Sequence, residues 1–403
     1  MVFFQKIFRS HRNLAVVFLL GGGSSVSFSQ GRSDQRLDQK LDRRVVEGFD
    51  RAPSSKEGLD VSLITSLAYD SNIFLSADDE IESVVLQVEP SIGWTAGERD
   101  KSWIRLAYEG AAVVYFFSED DNRVDNRVVT EGEVRKKNLA LAYSARWARL
   151  GSPSADVGGQ NTRQEWGGSA SLSYTPKGKI SYRAFIEQSE EDQSDSGLFD
   201  SSETSGGFAA EYRYSSKTAF ELAYRLGRVD IEGTGVQTFQ RFGFQTSWSP
   251  RPKLSFSFEG GLEYRNYVVG DGLEPYLSAR ADWTPRAKTA FYAEAYRRVE
   301  ASAALDGENF VLAGFRAGVN QQFAEGWTGG FEFGRETADY FSVSSLPESG
   351  REDSSYFVRP TVRYVFDENK ELVFLYQWSQ SDSTIADFGF DNHQVGLSMN
   401  YQF

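Results

Sequence analysis

The sequence predicts an all-β chain: a transmembrane, antiparallel, up-and-down β-barrel of about eighteen strands, roughly 16–18. Three observations predict this fold. From residue 59 onward, apolar and polar residues alternate with a period of two. Tight turns and long acidic loops alternate along the chain, and tryptophans collect near the ends of the strands. No apolar run after residue 30 is long enough to form a membrane-spanning helix.

Composition excludes several classes of protein. The chain has 403 residues, no cysteine, and a formal net charge of −14. The absence of cysteine excludes disulfides, thiolate nucleophiles and cysteine-ligated metals, and the acidic balance argues against a nucleic-acid partner.

The first segment, residues 1–29, is predicted to be a signal peptide. Lys6, Arg9 and Arg12 form a basic region ahead of an apolar core at Leu14–Leu20, and small residues follow. The alternative is an N-terminal membrane anchor, which the three glycines after the core disfavour. We therefore expect the mature protein to leave the cytoplasm.

Residues 30–58 are polar and predict a periplasmic N-terminal linker. Leu37, Leu41 and Val45 recur at every fourth position, which favours one short helix. A plug formed by this segment inside the barrel is the alternative.

The third segment, residues 59–403, contains the alternating strands. In the stretch 254–259 the even positions are apolar and the odd positions are polar, so one face would contact lipid and the other water. The same pattern predicts strands at 138–149 and 161–175, separated by a loop. An even number of strands is expected for a bacterial single-chain barrel.

The connections fall into two classes. Short turns are predicted at 176–178, 215–217, 249–253 and 284–288, and long acidic loops at 190–202, 300–308, 341–352 and 381–389. Outer-membrane barrels have short periplasmic turns and long extracellular loops. Because the strand count is even, we expect both termini to be periplasmic.

Aromatic residues supply a further signal. Indole rings favour the headgroup level of a bilayer, so tryptophans near strand ends predict two interfacial belts. The residues assigned to these belts are Trp94, Trp103, Trp147, Trp248, Trp283, Trp327 and Trp378. The last strand ends on Tyr401 and Phe403, an aromatic C-terminus that resembles the signal read by the barrel-assembly machinery.

The hexapeptide Tyr69–Phe74 closes the first strand and, with the overall layout, resembles the start of the putative β-barrel porin type 2 family. The resemblance implies a bacterial outer membrane of the Gram-negative type as the location. Members of that family often accompany exopolysaccharide systems. The resemblance implies no catalytic residue.

The polar face of the strands predicts the barrel interior, where arginines and acids are nearly balanced. Such a lining suits either a hydrated pore or a cross-linked wall. The predicted lining residues are Arg105, Glu109, Arg183, Glu187, Glu211, Arg213, Glu221, Arg225, Arg241, Glu259, Glu263, Arg265, Arg280, Glu294, Arg298, Arg316, Glu332, Arg359 and Arg363.

Barrels of sixteen to eighteen strands leave an aqueous channel unless a plug fills it, so we expect passive diffusion of small hydrophilic solutes. The alternative is a non-channel or accessory barrel of an exopolysaccharide export system, with polysaccharide as its partner. Outer-membrane lipid and lipopolysaccharide are the other expected partners.

No enzyme or cofactor is predicted. His11 belongs to the leader, which leaves His393 as one imidazole, too few for a histidine-ligated metal site and an unfavourable basis for a serine triad.

Overall fold

The computed structural model describes residues 57–195 and 197–403, which form one closed antiparallel sheet of eighteen strands. The predicted signal peptide at 1–29 lies outside the described residues, as does the predicted linker at 30–58 apart from its last two residues. Over the described part of the chain, no helix combines the length and hydropathy needed to cross a membrane.

Short connections keep the strands in chain order around the sheet. The strands are β1 (Gly58–Asp70), β2 (Ser83–Glu98), β3 (Ser102–Tyr115), β4 (Arg123–Lys136), β5 (Leu139–Ser154), β6 (Gly159–Tyr174), β7 (Ile180–Gln193), β8 (Ser201–Ser215), β9 (Thr218–Ile231), β10 (Gly235–Arg251), β11 (Leu254–Asn266), β12 (Asp271–Arg286), β13 (Thr289–Ala301), β14 (Glu308–Ala324), β15 (Trp327–Ser342), β16 (Glu352–Asp367), β17 (Lys370–Ser383) and β18 (Phe390–Gln402). Two single 3-10 turns, Glu119–Asp121 and Ala386–Phe388, lie in the connections.

Pairing between the first and last strands closes the barrel. β1 pairs with β18 from Ser62 opposite Gln402 to Asp70 opposite Gln394, and it pairs with β2 on its other edge. Closure leaves the sheet without a free first or last strand, which a sheet surrounded by lipid requires. The predicted fold class, an antiparallel all-β barrel of about eighteen strands, is confirmed.

The two ends of the barrel differ as the sequence predicts. We call the end with connections such as 216–217, 252–253 and 287–288 the turn end, and the end with 71–82 and 343–351 the loop end. The loops are shorter than predicted, because the strands continue further toward this end than their alternation indicates.

Two hairpins depart from the wall at the loop end. We define the β5–β6 tip as residues 150–162 and the β13–β14 tip as residues 298–312. β5 pairs with β4 only as far as Arg149, and β13 pairs with β12 only as far as Arg297. Beyond these points consecutive residues are buried on both faces, as at 151–154, where a strand within the wall would alternate.

The ends of β5 and β6 at the β5–β6 tip differ from the predicted strand boundaries. In place of strands that end at 149 and restart at 161, β5 and β6 pair as far as Ser154 opposite Gly159. Gly158 turns the chain with φ +69°, and a Cβ there would lie 2.9 Å from Cδ1 of Phe388. The tight turn therefore depends on this glycine.

A bridge between two loops covers the wall outside the β13–β14 tip. The Val269 N–H donates to the Val343 carbonyl at 3.1 Å, and the rings of Tyr267 and Phe341 meet edge to face at 5.6 Å. The gap left when β13 bends away from β12 is filled by Arg297, which donates to Glu274 at 3.0 Å.

Candidate channel lumen

The strand register places all of the predicted lining residues on one face of the sheet. Side chains two strands apart meet there: Arg183 on β7 bonds Glu221 on β9 at 2.7 Å, and Arg225 bonds Glu187 at 2.6 Å. Both pairs cross over β8. Such convergence fits the concave inner face of a cylinder, whereas neighbours such as Leu222 lie exposed on the outer face.

Carboxylates engage the arginines of this face. Neighbouring strands supply most of the pairs, and the guanidinium groups are held along the wall. The pairs are Arg105–Glu131, Arg127–Glu109, Arg213–Glu211, Arg241–Glu263, Arg265–Glu263, Arg280–Glu294, Arg298–Glu300, Arg316–Glu294, Arg359–Glu332 and Arg363–Glu371. The pairs cross-link neighbouring strands along the inner face.

Aromatic rings lie over glycines on the inner face. A Cβ on Gly243 would lie 2.0 Å from Oη of Tyr276, and one on Gly207 would lie 2.8 Å from Cζ of Phe185. The rings in turn carry guanidinium groups, with Arg241 4.4 Å from the Tyr276 centroid and Arg225 5.1 Å from that of Phe185. Sequence parity placed the arginines but did not predict this stacking.

Asp156, at the end of the β5–β6 tip, ties the two inner hairpins together. Its carboxylate accepts hydrogen bonds from the Ser302 hydroxyl at 2.9 Å, the Ala303 N–H at 2.7 Å and the Tyr340 hydroxyl at 2.9 Å. Ser302 and Ala303 belong to the β13–β14 tip and Tyr340 belongs to β15. A loop attached to β5 and β6 thus reaches the far side of the barrel.

Arg351 holds the same tip from a second direction. Its guanidinium donates to the Asp156 carbonyl at 2.8 Å and to the Ala155 carbonyl at 2.7 Å, while it also bonds Asp353 at 2.7 Å. The guanidinium carbon lies 3.5 Å from the centroid of the Phe388 ring, and Arg351 has 0% exposure. The contacts fix the β5–β6 tip across the loop end.

The β13–β14 tip has its own ties. Gln237 and Asn309 exchange amide hydrogen bonds of 3.2 and 3.0 Å, although β10 and β14 are not neighbours in the sheet. The Phe199 N–H donates to the Ala303 carbonyl at 2.9 Å. The two tips and their ties narrow the lumen at the loop end.

The turn end remains open to water. The side chains of Arg213 and Arg363 are 60% and 51% exposed, although both lie on the inner face. Arg135, near the same end, is 47% exposed. The inner face therefore changes from water-accessible at the turn end to packed at the loop end.

The packed residues include more carboxylates than arginines, although several of these carboxylates bond less buried arginines, as Glu263 bonds Arg241 and Glu300 bonds Arg298. Among the almost fully buried charged residues of the described chain, nine are carboxylates and four are arginines. The carboxylates are Glu89, Glu133, Asp156, Glu165, Glu263, Glu300, Glu308, Glu336 and Asp353, and the arginines are Arg163, Arg265, Arg351 and Arg359. Several of these acids were missing from the predicted lining.

Six of the seven tryptophans assigned to the belts lie on the outer face. Trp94, Trp248, Trp283 and Trp327 lie toward the turn end, and Trp147 and Trp378 lie toward the loop end.

Trp103 departs from this pattern. It pairs with Glu133 on the inner face, and the Arg99 guanidinium carbon lies 4.9 Å from its ring centroid. Successive residues near the end of a strand alternate between the inner and the outer face. Proximity to a turn therefore does not determine on which face Trp103 lies.

The C-terminal residues complete the closing strand. Tyr401 pairs with Leu63 of β1 and Lys370 of β17, and the Phe403 N–H donates to the Val61 carbonyl at 2.9 Å. The Phe403 side chain is exposed at the turn end.

His393 lies outside the lumen. It pairs with Trp378 on the outer face, where its Nδ1 is 2.9 Å from the Tyr376 hydroxyl. Within 57–195 and 197–403, no group of three or more histidine or acidic residues has the geometry to hold a metal ion.

A closed eighteen-stranded barrel with an apolar outer face and a charged inner face defines a transmembrane barrel of the porin type. Residues 272–403, which span β12 to β18, match the model of the family described as Putative beta-barrel porin 2. The match confirms the resemblance to this family that the sequence predicts, over residues that do not include the hexapeptide Tyr69–Phe74. The match does not favour the alternative of an accessory barrel in polysaccharide export.

Among solved structures, OpdQ of Pseudomonas aeruginosa is 13% identical with a TM-score of 0.49, covering 86% of this chain and 99% of that chain. OccK2 (OpdF) of the same organism, in complex with glucuronate, is 11% identical with a TM-score of 0.49, covering 86% and 98%. The outer membrane protein OpdK is 10% identical with a TM-score of 0.45, covering 86% and 99%. No curated protein matches the sequence.

Proposed function

We propose that the protein is a passive channel for small hydrophilic solutes in the bacterial outer membrane. The observation that carries this proposal is a closed barrel of eighteen strands whose inner face is charged and, at the turn end, accessible to water. Barrels of this strand number enclose more space than side chains of the wall can fill. We infer no catalytic role and no cofactor.

The outer face supports the proposed location. Exposed apolar side chains cover the wall, and the six outward tryptophans form two groups along the strands. We infer that these groups lie at the two interfaces of the membrane. With short turns in the periplasm, both termini are periplasmic, and Tyr401 and Phe403 are presented to the barrel-assembly machinery.

The two inner hairpins limit the size of the solute. The lumen widens toward the turn end, where the predicted lining residues Arg213, Arg280 and Arg363 are at least partly exposed. At the loop end, Asp156 and Arg351 fix the β5–β6 tip across the passage. Small solutes pass beside the tips, whereas polymers of the size of a polysaccharide are excluded.

Planar-bilayer recording tests the proposal directly. Purified protein added to one side should produce discrete, ohmic conductance steps, and the steps should shrink in the presence of small polyethylene glycols that enter the lumen. A heat-denatured sample of the same preparation is the control. Silence at high protein load would refute the channel function, and conductance unaffected by small polymers would refute the proposed size limit.

A further inference from the structure

The inner face of the last strand carries a row of neutral side chains. Alternate residues of β18 point inward, and the residues between them, such as Val395 and Leu397, are exposed on the outer face. The inward residues are Asn392, Gln394, Gly396, Ser398 and Asn400, and none of them is charged. At about 3.3 Å per residue, this row follows the wall for about 26 Å.

The two neighbouring strands widen this row. Gln377 and Ser379 of β17 lie opposite residues 394 and 392, and Ser66 of β1 lies opposite residue 398. No arginine occurs in β17, β18 or β1, whereas each of β3 to β16 contains at least one. We call the polar side chains of this surface the neutral track; they are Ser66, Gln377, Ser379, Asn392, Gln394, Ser398 and Asn400.

Hydrogen-bond donors and acceptors of the track are both left without partners. Among the described residues, ten buried neutral side-chain atoms have no partner, and seven of them belong to the track. Buried polar groups normally have partners, so this concentration indicates a place that binds a hydrogen-bonding species. The seven are the donors Gln377 Nε2 and Asn392 Nδ2, the acceptors Gln377 Oε1, Gln394 Oε1 and Asn400 Oδ1, and the hydroxyl oxygens of Ser66 and Ser379, which can do both.

A cavity separates the track from the β5–β6 tip. Its volume is about 30 Å³, and its lining includes Pro153 of the tip and the track residues Ser66, Asn392 and Gln394, which are all more than nine-tenths buried. A buried water needs roughly 10–15 Å³ of such volume, so about two or three groups of that size fit. The tip thus leaves room for hydroxyl groups beside the track.

The cavity favours neither sign of charge. Asp70 and Arg123 both line it, and both are engaged, since Asp70 accepts from Gln394 Nε2 at 2.6 Å and Arg123 bonds the aspartate two residues further along β4 at 3.4 Å. The acids further along the track, Glu89 and Glu371, are not free either. The groups that remain available to a solute are therefore the neutral amides and hydroxyls.

We propose that the neutral track is the binding path of a neutral, hydroxyl-rich solute of the size of a simple sugar, which the channel passes in preference to ions of similar size. This inference rests on the proposed channel function and specifies its solute class. A hydroxyl group both donates and accepts, so it satisfies either kind of track atom, whereas a cation engages only the acceptors and an anion only the donors. Water has the same two-way chemistry and is the competitor that the solute displaces.

The test compares three solutes with one carbon skeleton: neutral glucose, anionic gluconate and, at about pH 6, cationic glucosamine. Each is loaded as a radiolabelled tracer into proteoliposomes that contain the purified protein, in a KCl medium with valinomycin to clamp the membrane potential. Glucose should leave about threefold faster than either ion, the effect of roughly one hydrogen bond.

The outcomes separate this inference from the channel function. Equal efflux of the three solutes, or faster efflux of either ion, would overturn the inference and leave the channel function standing. Glucose that is retained while KCl conductance persists would show that the track holds water alone, which also overturns the inference. Absence of both efflux and conductance would instead refute the channel function.

Gln377 locates the path, because both polar atoms of its amide lack partners and its side chain has 0% exposure. Gln377→Leu leaves no other group unpaired, so it should not lower the unfolding midpoint, but it should slow glucose efflux about threefold. Gln377→Glu preserves the shape and adds a negative charge, so it should favour glucosamine over gluconate. A purely structural glutamine would lower the midpoint on substitution by Leu and leave the order of the three solutes unchanged, which would overturn the assignment.

Gln245→Leu is the matched control, because Gln245 lies on the inner face of β10, outside the track. It should leave glucose efflux unchanged, and equal glucose efflux in Gln245→Leu and Gln377→Leu would overturn the assignment to the track. Heat-modifiable migration of each variant on gels establishes that its barrel has folded, so a lost rate is not confused with a lost barrel.

Discussion

Removing the Asp156 carboxylate should open the loop end of the barrel. Asp156→Ala deletes the acceptor for the Ser302 hydroxyl, the Ala303 N–H and the Tyr340 hydroxyl. The Arg351 bonds to the backbone carbonyls at 155 and 156 do not involve the deleted group and should persist. The substitution therefore weakens the tie between the two tips and leaves the β5–β6 turn itself supported.

The magnitude follows from what the substitution leaves behind. Asp156 is buried, so the donors of Ser302, Ala303 and Tyr340 lose their partner in a packed environment. Each buried donor left without its partner costs about 1–3 kcal/mol, and three donors are affected. At 1.4 kcal/mol per tenfold, the ratio of closed to open tips should fall roughly hundredfold or more. Asp156→Asn retains one acceptor and should have a smaller effect.

Single-channel recording measures this change as open probability and unit conductance. Asp156→Ala should raise both, and it should admit larger polyethylene glycols than the unsubstituted protein. Asp306→Ala is the matched control, because Asp306 is an exposed loop aspartate whose contact with the Thr234 hydroxyl is long, at 3.4 Å. Identical recordings for Asp156→Ala and Asp306→Ala would refute the view that Asp156 fixes the tips.

Other predictions concern the wall and the loops. Leu222→Arg on the outer face should destabilise the barrel by about 2–4 kcal/mol in urea titrations in lipid. Gln245→Arg on the inner face is the control and should leave the unfolding midpoint nearly unchanged. Equal shifts of the two midpoints would mean that the faces are reversed. Gly334→Ala should cost roughly 1–3 kcal/mol, because its Cβ would lie 2.4 Å from Cε1 of buried Phe357; an unchanged midpoint would show that the ring relocates freely. Burial raises the pKa of the Tyr267 phenol to about 12, above its unfolded value of about 10. The tyrosine's contribution to the loop bridge is thus present at neutral pH and lost as the pH rises from about 10 through about 12. The difference in tyrosinate absorbance between the unsubstituted protein and Tyr267→Phe isolates this phenol, and a difference that titrates near about 10 in the folded protein would contradict the prediction.

The fold was predictable because the alternation of apolar and polar residues is contained in the sequence of each strand and does not depend on distant contacts. Each strand needs one apolar face toward lipid and one polar face inward, so residues such as Leu222 and Glu221 reveal the face without knowledge of their partners. The same parity assigned the arginines to the polar face. Parity could not identify which acid pairs with each arginine, because Arg183–Glu221 and Arg225–Glu187 bridge strands that are not neighbours.

The β5–β6 tip and the β13–β14 tip could not be predicted from this alternation. A strand that leaves the wall loses its lipid contact, so its alternation fades, and the stretch at 150–160 resembles an ordinary polar loop. Its structure depends on Asp156 meeting Ser302 and Tyr340, which are 146 and 184 residues away in sequence. Nothing in the local sequence indicates contacts at that distance.

The β5–β6 tip also places the Asp156 carboxylate among neutral hydrogen-bond donors. Wall carboxylates can pair with arginines on adjacent strands, but the β5–β6 tip brings Asp156 to a position where the Arg351 guanidinium bonds its backbone carbonyl and the Asp353 carboxylate. The Asp156 carboxylate is instead held by neutral donors, which stabilise the charge without cancelling it. A narrow region assembled in this way keeps a negative potential, and a solute that passes it must tolerate or compensate that potential.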